Sequence, residues 1–207
     1  MRKLTINTFK TLDGVMQAPG GPEEDTDGGF KYGGWSFHYW DELMGKIMDE
    51  RMSKPFELLL GRRTYEIFAA HWPHIKNDPA ADKLNSVKKY VISRILTRAE
   101  WNNSYVIKKD VVSEIRKLKE QEGPEIQVHG SSNLIQTLLK NHLIDEYHIW
   151  TFPVTVGKGK RLFDEGAVPS NMKLVNSNVS GTGVIIAVYE PGEELKTGSF
   201  ALDNTTK

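Results

Sequence analysis

The sequence predicts an α/β protein in which a mainly parallel sheet carries helices on both faces. Short apolar runs alternate with amphipathic segments along most of the 207 residues, which is typical of parallel strands joined by helical crossovers. Two of the apolar runs end in a glycine that opens a helix. The last two runs are separated by Gly181-Thr182-Gly183, which predicts an antiparallel hairpin at the C-terminal end.

Composition places the chain among ordinary globular proteins. It is 39% hydrophobic and 26% charged, which favours one domain over residues 1–190 and a polar tail over 191–207. The 27 basic and 27 acidic residues cancel, so we expect neither nucleic acid nor a membrane as a partner. There is no cysteine, which excludes disulfides and thiolate chemistry. Because no apolar signal segment follows Met1, we expect a cytoplasmic protein.

The first half of the chain predicts two strands and two helices around one long loop. Residues 4–9 alternate apolar and polar side chains and predict the first strand. The following loop, over 11–37, is rich in glycine and acidic residues, and connections of this length are usually functional or disordered. Next we expect a helix over 39–52, a strand over 57–60 and a helix over 62–70 that Pro73 ends.

The second half predicts the remaining strands and two further helices. Asp110 is a suitable N-cap for a helix with one apolar face, and Ser131 or Ser132 can cap a second such helix. The strands are expected over 89–93, 105–107, 125–129, 147–152, 173–180 and 184–189.

Two junctions of strand, glycine and helix are the most informative feature of the sequence. Gly61-Arg62-Arg63-Thr64 follows Leu58-Leu59-Leu60, and Gly130-Ser131-Ser132 follows Ile126-Gln127-Val128. A helix that starts directly after a glycine leaves N–H groups and the positive end of its dipole free to bind an anion. Two such sites suggest a ligand with separated phosphates, such as a dinucleotide. Each could equally be a tight turn with N-cap serines and solvated arginines.

The order of these pieces resembles the dihydrofolate reductase-like superfamily, and within it the reductase domain of the bacterial riboflavin-pathway deaminase/reductase and its stand-alone relatives. The segments that carry the resemblance are 12–15, 33–35, 58–66, 91–94, 129–131, 143–146, 153–154, 157–159 and 162–163. The resemblance implies the dihydrofolate reductase-like α/β fold, with a central, mostly parallel sheet, flanking helices and a C-terminal antiparallel hairpin. It also implies a homodimer.

The resemblance implies an NADPH site at the two junctions. The residues that would hold the pyrophosphate and the adenosine side are Gly61, Arg62, Arg63 and Thr64. The segment that would contact the ribose 2′-phosphate is Ser93-Arg94. The other side of the pyrophosphate would be framed by Gly130, Ser131, Ser132 and Leu134. The counterpart of the mobile loop over the nicotinamide contains Val15, Gln17 and Ala18.

The implied reaction is the NADPH-dependent reduction of a small heterocyclic, carbonyl or imine substrate, and it needs a proton as well as a hydride. The candidates for the acid that dihydrofolate reductases keep on the first helix are Asp41 and Glu42. An acid at a helix start is also an ordinary partner of the helix dipole. Two other functions stay open, a dinucleotide-binding or sensor protein without turnover and the riboflavin-pathway pyrimidine reductase in the strict sense.

Three further patterns carry weaker expectations. His71 and His74 have metal-like spacing, but Pro73 breaks their helix and no third ligand is evident, so we expect no metal site. The pairs Lys88-Lys89 and Lys108-Lys109 indicate solvated surface. The aromatic residues that could stack on a flat heterocycle, or fill the core, are Trp35, Phe37, His38, Tyr39 and Trp40.

Overall fold

Eight strands form one sheet in the computed structural model, which describes residues 1–164 and 166–200. The strands are β1 (Leu4–Thr11), β2 (Phe56–Gly61), β3 (Lys89–Ile92), β4 (Ser104–Ile107), β5 (Glu125–His129), β6 (Glu146–Phe152), β7 (Met172–Val179) and β8 (Ile185–Pro191). The helices are α1 (Glu42–Ser53), α2 (Arg62–His71), α3 (Pro79–Ser86), α4 (Val111–Glu120) and α5 (Ser132–Lys140). The β1–α1 loop covers residues 12–41 and includes 3₁₀ turns at Asp27–Gly29 and Phe37–Tyr39.

The strands lie in the order β4-β3-β2-β5-β1-β6-β8-β7. The first six in this order are parallel, whereas β8 pairs antiparallel with both β6 and β7. The predicted mostly parallel sheet with a C-terminal antiparallel hairpin is therefore confirmed.

One face of the sheet is covered by α4 and α5. Leu4, Ile6 and Ile126 point to this side, where they are fully buried against Ile115 of α4 and Ile135 of α5. Because side chains alternate along a strand, the neighbours of these residues point to the opposite face.

The opposite face carries α1, α2 and α3. Leu58 and Leu60 of β2 pack there with Tyr65 of α2 and Leu84 of α3. Met44 of α1 is fully buried in a separate apolar cluster on the same side, toward β6 and β8. The helices that follow the neighbouring strands β2 and β5 thus lie on opposite faces, which opens a crevice at the carboxyl ends of these strands.

Lys89, which we expected on the solvated surface, is fully buried at the start of β3. Its ammonium donates to the carbonyl oxygens of Asn85 at 3.2 Å, Val87 at 2.8 Å and Asn102 at 3.0 Å. It also lies 4.1 Å from the centre of the Trp101 ring. Burial lowers the pKa of Lys89 to about 8, while the carbonyls and the ring offset the cost of burying the cation.

Several local expectations differ from the structure. The helix α3, with Asp78 as its N-cap and Pro79 in the first turn, is missing from the sequence-based elements, although an N-cap followed by proline is a helix-start signal. α1 begins at Glu42 rather than at residue 39, since Asp41 caps it. Asp110 precedes α4 as expected, but its φ is 49° and its side chain makes no capping hydrogen bond. Residues 201–207 of the expected tail lie outside the described residues.

Glu146 at the start of β6 joins two neighbouring side chains. One carboxylate oxygen is hydrogen-bonded to His148, and the other lies 2.9 Å from the ammonium of Lys3. These contacts, above all the one with His148, lower the pKa of Glu146 to about 2.

Replacing this residue with glutamine (Glu146→Gln) should flatten the acid dependence of stability. A carboxyl whose pKa falls on folding stabilises the protein at pH values above its ordinary pKa of 4.5. It loses this contribution as the pH falls toward 2. We expect the free energy of unfolding to drop by on the order of 2 kcal/mol at neutral pH, with the difference from wild type closing below about pH 4. Urea unfolding across this pH range measures it. Glu190→Gln, at 3.5 Å from the same Lys3, is the control, and a difference that is constant with pH would contradict the expectation.

Candidate functional site

A cleft of about 1890 Å³ opens at the carboxyl ends of the parallel strands. It lies between the starts of α2 and α5, where parallel sheets commonly bind ligands. The predicted cofactor residues that line it are Gln17, Ala18, Gly61, Arg62, Arg63, Thr64, Ser93, Arg94, Gly130, Ser131, Ser132 and Leu134.

Three helices direct uncapped starts at the cleft. The N-cap residues of α2, α4 and α5 are Gly61, Asp110 and Ser131, and no side chain of these three makes a capping hydrogen bond. By contrast, Asp41 and Asp78 cap α1 and α3, whose starts lie elsewhere. The first-turn N–H groups and the dipoles of the three uncapped helices therefore favour an anion in the cleft.

Ser131 connects the two glycine junctions. Its hydroxyl accepts a hydrogen bond from the backbone N–H of Gly61 at 2.8 Å and donates to the hydroxyl of Thr64 at 2.6 Å. Gly130 and Ser131 both have left-handed backbone, with φ of 75° and 73°. Ser131 occupies the N-cap position of α5, one of the two positions expected, but its side chain makes no capping hydrogen bond and reaches across to α2 instead.

The two arginines of the first junction carry acidic partners. Arg62 pairs with Glu66 at 2.7 Å, one turn along α2. Arg63 pairs with Asp27 of the β1–α1 loop and lies 3.7 Å from Asp25. An anion that binds here would therefore have to displace these carboxylates from the arginines, because neither arginine is unpaired.

The end of the cleft near β3, β4 and α4, away from the start of α2, is basic. Arg94 after β3, Lys108 and Lys109 after β4, and Arg116 on α4 all line it, and they make no ion pair with the residues the structure describes. The hydroxyl of Ser93 accepts from the backbone of the following turn, at 2.9 Å from the nitrogen of Leu96. Lys108 and Lys109 are exposed, as expected, and they also line the cleft, which their position directly after a parallel strand could have indicated.

Buried side chains hold the β1–α1 loop against the cleft. The side-chain amide nitrogen of Gln17 donates to the backbone carbonyl oxygens of Asp25 and Asp27, both at 3.0 Å. Its side-chain amide oxygen accepts from the backbone nitrogen of Lys160 at 3.1 Å. Val15, the remaining predicted cofactor residue, is fully buried and is not among the described residues that line the cleft. Its place is consistent with anchoring the loop.

The predicted proton donors lie away from the cleft. The carboxylate of Asp41 accepts from the backbone nitrogens of Met44 at 2.9 Å and Gly181 at 2.8 Å. These hydrogen bonds, first the one from Met44, lower the pKa of Asp41. Glu42 is exposed in the first turn of α1, and neither acid is among the described residues lining the cleft. Glu24 of the loop does line it, and burial raises the pKa of its carboxyl.

A polar layer lies beneath α1 at the floor of the cleft. Arg51 of α1 donates to Glu125 at 2.6 Å and to the amide oxygen of Asn7 at 3.2 Å. His129 is hydrogen-bonded to the amide oxygen of Gln127 at 2.7 Å, and burial lowers the pKa of His129 to about 4, so its ring is neutral at pH 7. Sequence reasoning missed this layer. Its signal was polar residues recurring at every second position of the buried strands β1 and β5.

Of the five aromatic residues that could stack on a heterocycle or fill the core, Trp35 and Tyr39 pack in the apolar cluster around Met44, whereas Phe37, His38 and Trp40 are exposed. Trp35 sits edge-on against Phe152 with ring centres 5.2 Å apart, and Trp40 stacks on Trp150 at 6.0 Å with a 10° interplanar angle. Of these rings, Trp150 lines the cleft. Among the described residues no group of histidines and acids could hold a metal ion, and no helix is long and apolar enough to cross a membrane.

The fold and this cleft agree with a known family. A family model described as the RibD C-terminal domain matches residues 2–186. The chain belongs to the RibD C-terminal domain family. It is 28% identical over 193 residues to the uncharacterized protein YyaP of Bacillus subtilis, which covers 91% of this chain and 94% of that protein. It is 25% identical over 127 residues to the uncharacterized protein YwjB of the same organism, with 61% and 69% covered.

Solved structures confirm the dihydrofolate reductase-like fold of this RibD C-terminal domain protein. A putative riboflavin biosynthesis protein from Shewanella sp. PV-4 superposes with a TM-score of 0.64 at 20% identity and covers 93% of this chain and 100% of its own. Dihydrofolate reductase from Enterococcus faecalis, complexed with NADP(H), gives 0.59 at 16%, covering 92% and 97%. The deaminase/reductase from Thermotoga maritima gives 0.58 at 17%, covering 92% of this chain and 57% of that chain.

A methyl group at position 61 (Gly61→Ala) should displace Ser131 and destabilise the protein. A Cβ there would lie 2.8 Å from the hydroxyl oxygen and 2.9 Å from the Cβ of Ser131. We expect a loss of about 1–3 kcal/mol in the free energy of unfolding. The double variant Gly61→Ala/Ser131→Gly should recover part of it, because the clash disappears and glycine accepts a φ of 73°.

Chemical unfolding of the single and double variants measures this coupling. The control is Gly45→Ala inside α1, where the added Cβ has its nearest neighbour at 3.9 Å, so that variant should be as stable as wild type or more so. If the changes in the free energy of unfolding caused by Gly61→Ala and Ser131→Gly simply add in the double variant, the two positions are not in steric contact.

Proposed function

We propose that this RibD C-terminal domain protein is an NADPH-dependent reductase that transfers a hydride to a small heterocyclic, carbonyl or imine substrate. The observation that carries the proposal is the convergence of three uncapped helix starts and one basic end on a single cleft. Family membership supports it, since the structurally similar proteins include a dihydrofolate reductase solved with NADP(H) and a deaminase/reductase.

The residues present fit a dinucleotide that carries an additional phosphate. The starts of α2 and α5, joined through Ser131, would hold the pyrophosphate. Arg94 and the neighbouring Lys108, Lys109 and Arg116 would bind the 2′-phosphate of the ribose, because guanidinium and ammonium groups donate strong charge-assisted hydrogen bonds to phosphate. Arg63 would leave its ion pair with Asp27 and contact the ligand instead.

A reduced nicotinamide supplies a hydride when it is bound. The chain's contribution is to orient the substrate and to exclude water from it. Phe9 and Trp150 give the cleft an apolar wall, and Met16 and Ala18 of the β1–α1 loop border the same space. This arrangement suits a flat acceptor, for which position rather than covalent chemistry provides most of the rate enhancement.

For the proton we propose Glu24 in place of the expected Asp41 or Glu42. Glu24 lines the cleft and burial raises the pKa of its carboxyl, and both properties suit a general acid near neutral pH. Each acid accepts two backbone hydrogen bonds that favour its ionised form, Asp41 from Met44 and Gly181 and Glu24 from Gly20 and Gly21. At Glu24 burial outweighs these hydrogen bonds and the pKa is raised, whereas the pKa of Asp41 is lowered.

Two acid-to-amide variants separate these roles once a screen of carbonyl and imine acceptors gives NADPH oxidation. Glu24→Gln should lower kcat by roughly 100-fold and remove the limb of the pH profile that reports the acid. Asp41→Asn should leave the pH profile unchanged and lower the melting temperature by a few degrees, because it weakens the cap of α1. A pH profile altered in Asp41→Asn and retained in Glu24→Gln would return the role to Asp41.

One alternative is favoured by a specific observation. The acids expected at α1, Asp41 and Glu42, do not line the cleft. A protein that binds the dinucleotide without turnover needs no proton donor, so their position agrees with this alternative. Cofactor binding without oxidation by any acceptor in the screen would support this alternative.

The homodimer and the cytoplasmic location stay predictions.

The first test of the cofactor is fluorescence titration with NADPH and NADH. Trp150 lines the cleft, so energy transfer to a bound reduced nicotinamide reports binding directly. Micromolar binding of NADPH with much weaker binding of NADH is the expected result. Failure of both cofactors to bind would reject the reductase proposal and the binding alternative together.

Removing one guanidinium (Arg94→Ala) should weaken NADPH selectively. A lost charge-assisted contact of about 1.5–3 kcal/mol raises the Kd for NADPH by roughly 10- to 100-fold and barely changes the Kd for NADH. Arg98→Ala is a matched control, because Arg98 is exposed four residues away and is not among the described residues that line this cleft. Equal losses for both cofactors would place Arg94 away from the 2′-phosphate.

A further inference from the structure

Two cations at the loop side of the cleft are neutralised by the β1–α1 loop itself. The ammonium of Lys160 lies 2.5 Å from a carboxylate oxygen of Asp25 and 2.9 Å from one of Asp27. The guanidinium of Arg63 donates to the carboxylate of Asp27 and lies 3.7 Å from that of Asp25. All four residues line the cleft. Two carboxylates and two cations thus form one cluster, which we call the loop ion cluster.

The two cations are held at the cleft by contacts that do not involve these carboxylates. Arg63 lies in the first turn of α2, two residues after Gly61. The backbone nitrogen of Lys160 donates to the side-chain oxygen of Gln17 at 3.1 Å, and its carbonyl oxygen accepts from the backbone nitrogen of Met16 at 2.8 Å. Both positive charges would therefore stay beside the cleft if the carboxylates moved away.

The acidic segment that supplies the carboxylates, residues 22–27, is positioned by buried contacts and flanked by glycines. Gln17, which is 4% exposed, donates to the backbone carbonyl oxygens of Asp25 and Asp27. Glycine pairs stand on both sides of the segment, at 20–21 and 28–29, and Gly28 and Gly29 have φ of 67° and 73°. Residues of this kind absorb the backbone rotations of a moving loop. The segment thus presents its carboxylates in a fixed place and has flexible ends.

The carboxylates occupy the contacts that a phosphate would need. Guanidinium and ammonium groups donate charge-assisted hydrogen bonds to carboxylate and phosphate oxygens alike. The contacts of Asp27, first the hydrogen bond from Lys160, lower the pKa of its carboxyl, so it is ionised at pH 7. The side chains of Arg63 and Asp27 are 47% and 46% exposed, and ion pairs with this exposure are weak enough to be exchanged for another anion.

We propose that Asp25 and Asp27 form an autoinhibitory contact, in which they occupy Arg63 and Lys160 in place of a ligand phosphate, and that a phosphate binding there releases the β1–α1 loop. Because the two events are linked, any change that weakens the contact also favours the phosphate. Glu24 is hydrogen-bonded to two backbone nitrogens of the loop instead, so it takes no part in this exchange. The inference rests on the proposed function in one respect, that the phosphate belongs to the cofactor.

Proteolysis of the loop tests the restraint without any cofactor. Lys31, exposed four residues after Asp27, is a trypsin site in the loop. Asp27→Asn should be cut after Lys31 roughly threefold faster than wild type, because weaker ion pairs raise the population of the released loop. The matched control is Glu23→Gln, which removes one charge from the same segment, where Glu23 is exposed and does not line the cleft. Mass spectrometry of timed samples measures the rates.

Inorganic pyrophosphate should release the loop of the wild-type protein in the same way. We expect it to speed the cleavage after Lys31, since its oxygens replace the carboxylates on the two cations. Sodium chloride at the same ionic strength is the control for screening of the ion pairs. The rates are normalised to cleavage of an unstructured peptide with one lysine, which removes any effect of pyrophosphate on trypsin itself.

Affinity provides the reciprocal measurement. Asp27→Asn should lower the Kd for pyrophosphate and for NADPH by roughly threefold each, because the ligand no longer competes with a full negative charge. Glu23→Gln should leave both Kd values unchanged. Isothermal titration calorimetry measures pyrophosphate, and tryptophan fluorescence measures NADPH.

Each outcome supports or overturns the inference. Equal rates of cleavage after Lys31 in Asp27→Asn and wild type would show that the carboxylate does not restrain the loop, which overturns it. An unchanged or higher Kd for pyrophosphate in this variant also overturns it. So does a Glu23→Gln variant that behaves like Asp27→Asn, since net charge would then be the cause. If the pyrophosphate results hold while NADPH fails to bind, the autoinhibitory contact stands and the proposed function falls.

Discussion

At the carboxyl edge of the sheet, the backbone N–H of Gly61 meets the hydroxyl of Ser131 at 2.8 Å. This hydrogen bond joins α2 on one face of the sheet to α5 on the other, so it determines how closely the two helix starts approach each other. The contact requires glycine at position 61, where a Cβ would lie within 3 Å of Ser131. Ser131 itself has left-handed backbone, a conformation that non-glycine residues adopt at a cost and that is common at functional sites. The geometry of the cleft depends on this one contact.

The cleft departs from the rules that the rest of the fold obeys. Elsewhere α1 and α3 are capped and Lys89 has three carbonyl partners, so buried polar groups are satisfied. Around the cleft, three helix starts lack side-chain caps, and donors of Asn7, Arg51 and Gln127 are unpaired among the described residues. Unsatisfied groups concentrated at one place are expected where stability is given up for binding. The same concentration extends from the proposed cofactor position to the polar layer under α1.

Charge is distributed locally although it sums to zero. Lys160 and Arg63 share the carboxylates of Asp25 and Asp27 at the loop side of the cleft, so this region is close to neutral. The far end, near Arg94, keeps its positive charge. An anionic ligand would consequently be attracted toward one end of the cleft, while the β1–α1 loop is held at the other end by ion pairs that a phosphate could replace.

Except for α3, the sequence by itself determined the kinds of element and their order, because hydrophobic periodicity and glycine at a strand end are local properties. The resemblance to the dihydrofolate reductase-like superfamily implied thirteen residues for a cofactor site, and twelve of them, all except Val15, line the cleft. The alternative role of Asp41 as a partner of the helix dipole was also visible from its position near the helix start.

Only the tertiary structure decided which distant side chains meet. Asp41 is directed to the hairpin nitrogen of Gly181, Ser131 reaches α2 rather than its own helix, and Arg51 finds Asn7 on β1 and Glu125 on β5. The contacts of Ser131 and Arg51 depend on β5 lying between β1 and β2. Nothing in the local pattern specifies that order, since it results from packing α4 and α5 against one face and the first three helices against the other.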